Sequence, residues 1–345
     1  MSFTFHRKLP VPKEIKAQYP VSDELAAIKA KLDQNICDVL SGKSDKFIVI
    51  IGPCSADNED AVCEYISRLK RVEEKVKDRL VLIPRIYTAK PRTTGAGYKG
   101  MIHQPDPEGS PDLLNGIIAI RKTHIHALKT FEMPIADEML YTENYWYVAD
   151  VLSYVAVGAR SVEDQQHRLV SSAVSCPVGM KNPTSGDFSV MLNSVTAAQM
   201  SHNFLFRGWD VDSSGNPYAH TILRGGVNKH GQTIPNYHYE DLLRLYKMYM
   251  EKDLKNPACI VDANHSNSGK QFKEQIRIVK EVLHNRKHSP EIHDLVKGVM
   301  IESYLVEGNQ KVGNPNHVYG QSITDPCLGW EDSEKLLYEI ADSIT

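Results

Sequence analysis

Residues 47–55 read Phe-Ile-Val-Ile-Ile-Gly-Pro-Cys-Ser, five consecutive apolar side chains, a Gly-Pro break and then a thiol. A parallel strand covered by helices on both faces reads as a continuous apolar run rather than an alternating one. The same unit recurs along the chain. Short apolar runs at Phe47–Ile51, Leu80–Ile83, Pro134–Ala136, Tyr154–Val157, Pro177–Met180, Thr221–Leu223, Cys259–Val261 and Val299–Ile301 alternate with segments of helical period. Eight such runs separated by helices is the arithmetic of a (β/α)8 TIM barrel, an α/β fold. Alternation alone would equally suit a doubly wound open sheet. What separates the two is that each run is followed almost at once by a reactive or charged residue: Cys54, Arg85 with Lys90, Glu138, Arg160, Lys181, Arg224, His265 and Glu302. A closed barrel gathers all its C-terminal strand ends at one mouth, whereas an open sheet spreads them along a line. The spacing therefore predicts a catalytic barrel over residues 47–345.

Ahead of the barrel, Ser22 can cap a helix that places Leu25, Ile28, Leu32, Ile36 and Leu40 on one face, with Asp23 and Glu24 in its first turn. Residues 1–46 are thus expected to form an N-terminal extension with one helix. A closing helix is expected over Asp332–Ile344, with Leu336, Leu337, Ile340 and Ile344 facing inward.

The whole-chain balance excludes several classes. Among 345 residues, 41% hydrophobic, there are 40 basic and 43 acidic side chains. That composition excludes disorder and coiled-coil architecture and leaves no electrostatic footprint for nucleic acid. The six cysteines show neither a CxxC pair nor zinc-finger spacing, so a reduced, cytoplasmic protein is expected. No apolar run reaches membrane-spanning length, and Met1 to Lys13 carries no signal-peptide core, so neither membrane insertion nor export is expected.

Two constellations carry chemistry. Cys54, His265, Glu302 and Asp325 follow runs one, seven and eight, which are neighbours in a closed barrel. Taken singly, each is more simply a buried cysteine, a structural histidine or a surface carboxylate. Together they form a mixed donor set suited to a divalent ion such as Mn, Fe, Co or Zn. The second set is cationic: Arg85, Lys90, Arg92, Arg160, Lys181 and Arg224. Desolvated cations at a barrel mouth are costly unless anions neutralise them. Some are expected to pair with Asp137, Glu138, Glu163 or Asp262, and the excess asks for a strongly anionic substrate, such as one bearing phosphate. The stretch Gly95-Ala96-Gly97-Tyr98-Lys99-Gly100 matches neither a dinucleotide fingerprint nor a Walker A loop and reads as a mobile loop after strand two. No GxSxG elbow or HExxH helix is present. Aromatic clusters at Tyr145–Tyr147, Phe204–Phe206 and Tyr237–Tyr239 are expected to serve packing or an interface rather than an effector pocket.

The runs Ile51-Gly-Pro-Cys-Ser55, Lys90-Pro-Arg-Thr-Thr94, Gly158-Ala-Arg-Ser161, Cys176-Pro-Val-Gly-Met-Lys-Asn182, Ile222-Leu-Arg-Gly-Gly226, Asp262-Ala-Asn-His-Ser-Asn-Ser268, Met300-Ile-Glu-Ser303 and Ser322-Ile-Thr-Asp-Pro-Cys327 resemble, in collinear order, the type I 3-deoxy-D-arabino-heptulosonate 7-phosphate (DAHP) synthases. The likeness runs from about residue 20 to 345. It implies a metal-dependent barrel that condenses phosphoenolpyruvate with erythrose 4-phosphate and releases phosphate, the first step of the shikimate pathway. It further implies Cys54, His265, Glu302 and Asp325 as ligands of a divalent ion, manganese foremost. Phosphoenolpyruvate would be held by Arg85, Lys90, Arg160, Lys181 and Arg224 with the backbone at Ala159, and the sugar phosphate by Arg92 and Thr93. Glu138 matches a family position at the mouth. Lys90, lying between the substrates, would protonate the aldehyde oxygen, with a metal-bound water as its rival. A homodimer or homotetramer is implied as well.

The chain departs from the family pattern at Ala89, where many members carry Glu, and in the Thr94–Gly100 loop, which is one residue longer. Feedback-inhibited members also have a longer N-terminal arm, a longer hairpin before Ile222, and smaller residues where Tyr145, Trp146 and Phe206 stand. Weak or absent inhibition by aromatic amino acids is therefore expected. Two rival readings are a sister synthase that uses a longer aldose phosphate, against which Arg92-Thr93 argues, and a non-catalytic barrel binding metal and phosphate, against which the completeness of both constellations argues.

Overall fold

The computed structural model describes residues 3–92 and 94–344. Its main sheet contains eight parallel strands: β1 (Phe47–Gly52), β2 (Leu80–Pro84), β3 (Ala136–Glu138), β4 (Tyr154–Val157), β5 (Val178–Lys181), β6 (Ala219–Leu223), β7 (Cys259–Asp262) and β8 (Val296–Glu302). Their spatial order is β2-β1-β8-β7-β6-β5-β4-β3, and a parallel bridge from Arg85 to Ala136 joins the two outer strands, so the sheet closes on itself. This is the expected (β/α)8 barrel. Every residue of β1 to β7 is buried, as strands lying between a packed interior and a helical ring must be.

Two strand windows need correction. Pro134 and Pro177 stand outside β3 and β5, which begin at Ala136 and Val178. Proline has no N–H to donate to a central ladder, so the strands start after it.

Side-chain alternation builds two layers. Ile48 and Ile50 of β1 share the barrel interior with Val81, Ile83, Ala156, Ile222, Ile260 and Met300. Phe47, Val49 and Ile51 face the helices outside. Space in the interior is tight enough to dictate residue type: a Cβ on Gly179 would lie 2.2 Å from the Tyr154 hydroxyl and 2.4 Å from Ile222 Cδ1.

The helices are α1 (Pro12–Gln18), α2 (Asp23–Leu40), α3 (Glu59–Val76), α4 (Leu113–Phe131), α5 (Thr142–Val148), α6 (Gln165–Ser171), α7 (Phe188–Gln199), α8 (Tyr239–Met250), α9 (Glu274–His288), α10 (Pro290–Leu295) and α11 (Trp330–Ser343). Ser22 caps α2 as its sequence suggests, its Oγ accepting from the Leu25 N–H at 3.2 Å. The end of that helix inserts Ile36, Val39 and Leu40 into the barrel-interior cluster. Because each such side chain is fully buried, each contributes about 1.5–3 kcal/mol of apolar burial. The extension, which holds two helices, α1 and α2, rather than the one expected, thus closes the N-terminal end of the barrel and leaves the opposite end as its mouth. The closing helix starts two residues earlier than expected, at Trp330, and buries Leu336, Leu337 and Ile340. Between α7 and β6, His202–Phe206 and Trp209–Ser213 pair as an antiparallel hairpin. Among the described residues, no helix is long and apolar enough to cross a membrane.

Candidate active site

Each barrel strand carries its last side chains to the mouth, and the loops after β1, β2, β7 and β8 converge there. One cavity is lined by Cys54, Arg85, Lys90, Arg92, Glu138, Ala159, Arg160, Lys181, Arg224, His265, Glu302 and Asp325. Every expected site residue is therefore brought together except Thr93, which lies outside the described residues.

The donor half is built around a buried thiol. Cys54 Sγ, a Glu302 carboxylate oxygen and an Asp325 carboxylate oxygen all lie within 4.8 Å of one another. His265 stands beside this trio, its Nε2 3.9 Å from Glu302 Oε1. It is placed by an unusual backbone: φ is +52°, in the left-handed region that non-glycine residues rarely adopt. Its Nδ1 lies 2.9 Å from Asp262 Oδ2 at the end of β7, a close approach without an aligned hydrogen bond. Glu302 is fixed by three partners: Arg85 donates to Oε1 at 3.0 Å, Asn264 donates to Oε2 at 2.6 Å, and the Gln275 side chain accepts from its backbone N–H at 2.8 Å. Burial, with the Glu302 charge beside it, pushes the Cys54 thiol up to about 11. A thiol in that state is a poor ligand until a cation replaces its proton. One sulfur, one imidazole and two carboxylates within reach fit a divalent first-row ion by the chemistry of the donor set.

Lys90 joins the two halves. Its Nζ lies 2.6 Å from Cys54 Sγ and donates to Asp325 Oδ2 at 2.8 Å. Burial works against its charge, but Cys54, Asp325 and Glu302 outweigh that and hold it firmly protonated. The same contact keeps Asp325 well below the usual carboxylate range despite its own burial.

The cationic half is deeper. Arg85 is 2% exposed and stacks over the Tyr87 ring at 4.1 Å, and its Nε and Nη1 find no partner. Buried guanidinium donors without acceptors are costly, and an anion supplied by substrate satisfies them. Lys181 Nζ lies 3.3 Å from Glu138 Oε2 and 3.8 Å from Asp262 Oδ2, the structural pairing foreseen for some of the cations. Burial and the nearby Arg160 guanidinium push Arg224 below its ordinary value, although Asp262 opposes them. Such a group gains most from a bound anion. Arg160 itself is exposed at the rim. Arg92 Nε donates to the Tyr98 carbonyl at 2.7 Å. The glycine-rich loop after β2 is pinned at its stem, where the Lys90 N–H donates to the Lys99 carbonyl and Tyr98 is buried, while Gly95 and Gly97 turn its tip with positive φ.

Four contributors were not singled out from sequence as site residues: Tyr87, which underlies Arg85 and Lys181; Asn264 and Gln275, which orient Glu302; and Asp262 as the partner of His265. Tyr87 carries a readable signal, since it stands two residues after Arg85. Asn264 and Asp262 lie inside the run that contains His265. Gln275 sits on α9 and carries no signal at all.

Comparison with known proteins agrees with this geometry. The model of the DAHP synthetase I family matches residues 18–338. The Trp-sensitive phospho-2-dehydro-3-deoxyheptonate aldolase of Enterobacter agglomerans is 39% identical over 344 residues, covering 98% of this chain and 95% of that protein. The phospho-2-dehydro-3-deoxyheptonate aldolase of Haemophilus influenzae is 38% identical over 339 residues, covering 96% and 91%. The solved structure of the corresponding aldolase from Francisella tularensis superposes with a TM-score of 0.92 at 31% identity, covering 99% of this chain and 98% of the other.

The expectation of weak or absent feedback inhibition is not borne out, since similar relatives are named Trp-sensitive. The aromatic residues do pack as expected, with Trp146 5.7 Å from Phe206 and 5.2 Å from Tyr145 between ring centroids. Bulk at one hairpin describes how that hairpin packs, and it does not by itself remove a regulatory pocket.

Proposed function

The chain belongs to the DAHP synthetase I family and is a DAHP synthase, a transferase acting on phosphoenolpyruvate and erythrose 4-phosphate; from that premise we propose how its own residues divide the work. Cys54, His265, Glu302 and Asp325 hold a divalent ion, which the family generally requires, and among Mn, Fe, Co and Zn we favour Mn. When bound, the ion supplies Lewis acidity at the aldehyde oxygen of the sugar.

Arg85, Arg160, Lys181 and Arg224, with the backbone at Ala159, hold the phosphate and carboxylate of phosphoenolpyruvate, and Arg92 and Thr93 hold the phosphate of erythrose 4-phosphate. Glu138 sets the position and charge of Lys181. Fixing both substrates in one cavity makes the attack of C3 of phosphoenolpyruvate on the aldehyde effectively intramolecular. The developing charge at C2 is tolerated next to the bound phosphate, water adds there, and phosphate leaves under the same cations. Lys90 is charged and donor-rich, and it gives the proton to the aldehyde oxygen as the new bond forms.

The observation that supports this division is the placement of Lys90, 2.6 Å from Cys54 Sγ and 2.8 Å from Asp325 Oδ2, at the seam between the donor trio and the cationic half. The test follows phosphate release from phosphoenolpyruvate and erythrose 4-phosphate after chelation and after return of Mn. Loss and recovery of turnover support the assignment. Turnover that is indifferent to chelator would remove the ligand set.

A further inference from the structure

Cys63 and Glu59 lie one helical turn apart at the start of α3, so both side chains leave the same face of that helix. Opposite them on α4 is His126. The Glu59 Oε1 to His126 Nδ1 distance is 2.7 Å, and Cys63 Sγ lies 3.9 Å from the same nitrogen. The three ligand atoms lie within 4.8 Å of one another. None of the three residues lines the mouth cavity.

The bland interpretation is an ion pair between half-exposed side chains, worth about 0–1 kcal/mol. It leaves the thiol unexplained. The imidazole Nδ1 can share only one proton, yet a carboxylate and a sulfur are both directed at it. A tetrahedral ion with bonds of about 2.0–2.3 Å needs ligand atoms roughly 3.3–3.8 Å apart, and the observed separations bracket that range, so small side-chain rotations complete the site. The second carboxylate oxygen is already oriented: Thr123, one turn before His126, donates to Glu59 Oε2 at 2.9 Å. That is the kind of outer partner that fixes a metal-binding carboxylate. The local field is also negative. Glu59 and Asp60 both raise the Cys63 thiol, which lies at about 11 with burial the larger cause.

We propose that Glu59, Cys63 and His126 form a second cation site on the outer wall of the barrel, binding one thiophilic divalent ion of the Zn or Co class between α3 and α4, with its fourth position open to solvent. Sulfur, nitrogen and oxygen donors together select such an ion over Mg or Ca. Binding releases the Cys63 thiol proton and leaves the oxidation state of every atom unchanged. The site is independent of the assignments made at the mouth.

The test uses Co2+ as probe on the full, metal-stripped chain, with bound metal counted after equilibrium dialysis and thiolate-to-cobalt absorption read in the near ultraviolet. C63S and H126Q are each expected to bind one ion per chain fewer than the parent protein and to lose the matching part of the absorption, while turnover stays within about twofold of the parent. His126 is exposed and Cys63 half-buried, and Cys63→Ser keeps the shape of the side chain, so both variants are expected to fold. Because the readout is the difference between parent and variant, it holds whatever the mouth binds. Equal stoichiometry in parent and both variants overturns the proposal.

Discussion

The two ends of the barrel are made from the same eight strands, yet they are chemical opposites. At the N-terminal end, Ile36, Val39 and Leu40 of α2 meet Ile48, Ile50, Val81 and Ile83 in an apolar floor. Polar groups are few there, and one of them, the Tyr154 hydroxyl, meets His220 Nε2 at 2.8 Å. At the other end, where the same strands finish and their following loops begin, thiol, imidazole, carboxylate, ammonium and guanidinium groups crowd one cavity. The mouth contains unpaired buried donors on Arg85, which a structure selected for stability alone would remove. The floor supplies the packing that lets the mouth remain electrostatically costly. A division of labour of this kind predicts that floor substitutions change stability without chemistry, and mouth substitutions the reverse.

The largest effect is expected for Lys90→Ala. Turnover should fall by at least about a thousandfold if this ammonium is the proton donor, while the thermal midpoint drops only modestly, because Asp325 loses its ammonium partner but its half-exposed carboxylate can take up water instead. Steady-state phosphate release together with a melting curve checks both halves. Turnover near the parent level would remove Lys90 from the chemistry.

Ile36→Ala at the floor should cost about 2–5 kcal/mol of stability. Turnover per folded molecule should stay at the parent value. A matching fall in kcat would break the separation of the two ends.

At the joint between the regions, Asp137 follows β3's first residue and accepts from the Thr88 N–H and hydroxyl just before the loop that carries Lys90, and His124 Nε2 lies 3.5 Å from it. Burial pushes Asp137 up to about 7 and His124 down to about 4. Between about pH 4 and 6.5 the folded pair keeps its proton on Asp137 and the unfolded pair keeps one on His124, so the two contributions to stability oppose each other. Asp137→Asn leaves the depressed histidine alone, whose stability is present above about pH 6.5 and lost as pH falls toward 4. His124→Gln leaves the raised carboxyl alone, whose stability is present below about pH 4 and lost as pH rises through 7. Each slope should span on the order of 3–4 kcal/mol in denaturant titrations. Slopes of the same sign in the two variants would show that burial does not move the two groups in opposite directions.

The smallest effect is Ser22→Ala, which removes the cap of the helix that closes the floor and should cost about 0.5–2 kcal/mol, with the substrate KM values unchanged. A shift in KM would mean that α2 reaches the mouth energetically.

Much of this was legible before folding because barrel strands announce themselves. A run such as Phe47–Ile51 is too short to span a membrane and reads as a buried strand, and in a closed barrel the residue that follows each run faces the mouth. Cys54, Lys181, Arg224, His265 and Glu302 were therefore readable as neighbours from their places after the runs. Tyr87 was passed over, despite its place two residues after Arg85, because a tyrosine after a strand usually serves packing. Gln275 was hidden because its role depends on where α9 lies against β8. The hairpin at 202–213 was only partly visible, since the exposure of Leu205 and Trp209 weakens any strand pattern there.

The sequence by itself determined the strand count, the identity of the donor and cationic groups, and the cap at Ser22, because each follows from local pattern and short-range sterics. Only the tertiary structure decided which charges meet. Arg85 reaches Glu302 across 217 residues, and Lys90 reaches Asp325 across 235. His126 meets Glu59 and Cys63 only because α3 and α4 lie side by side. Those pairings are set by barrel closure, register and helix packing, which are long-range consequences of burying the whole core at once and leave no mark at any single position of the chain.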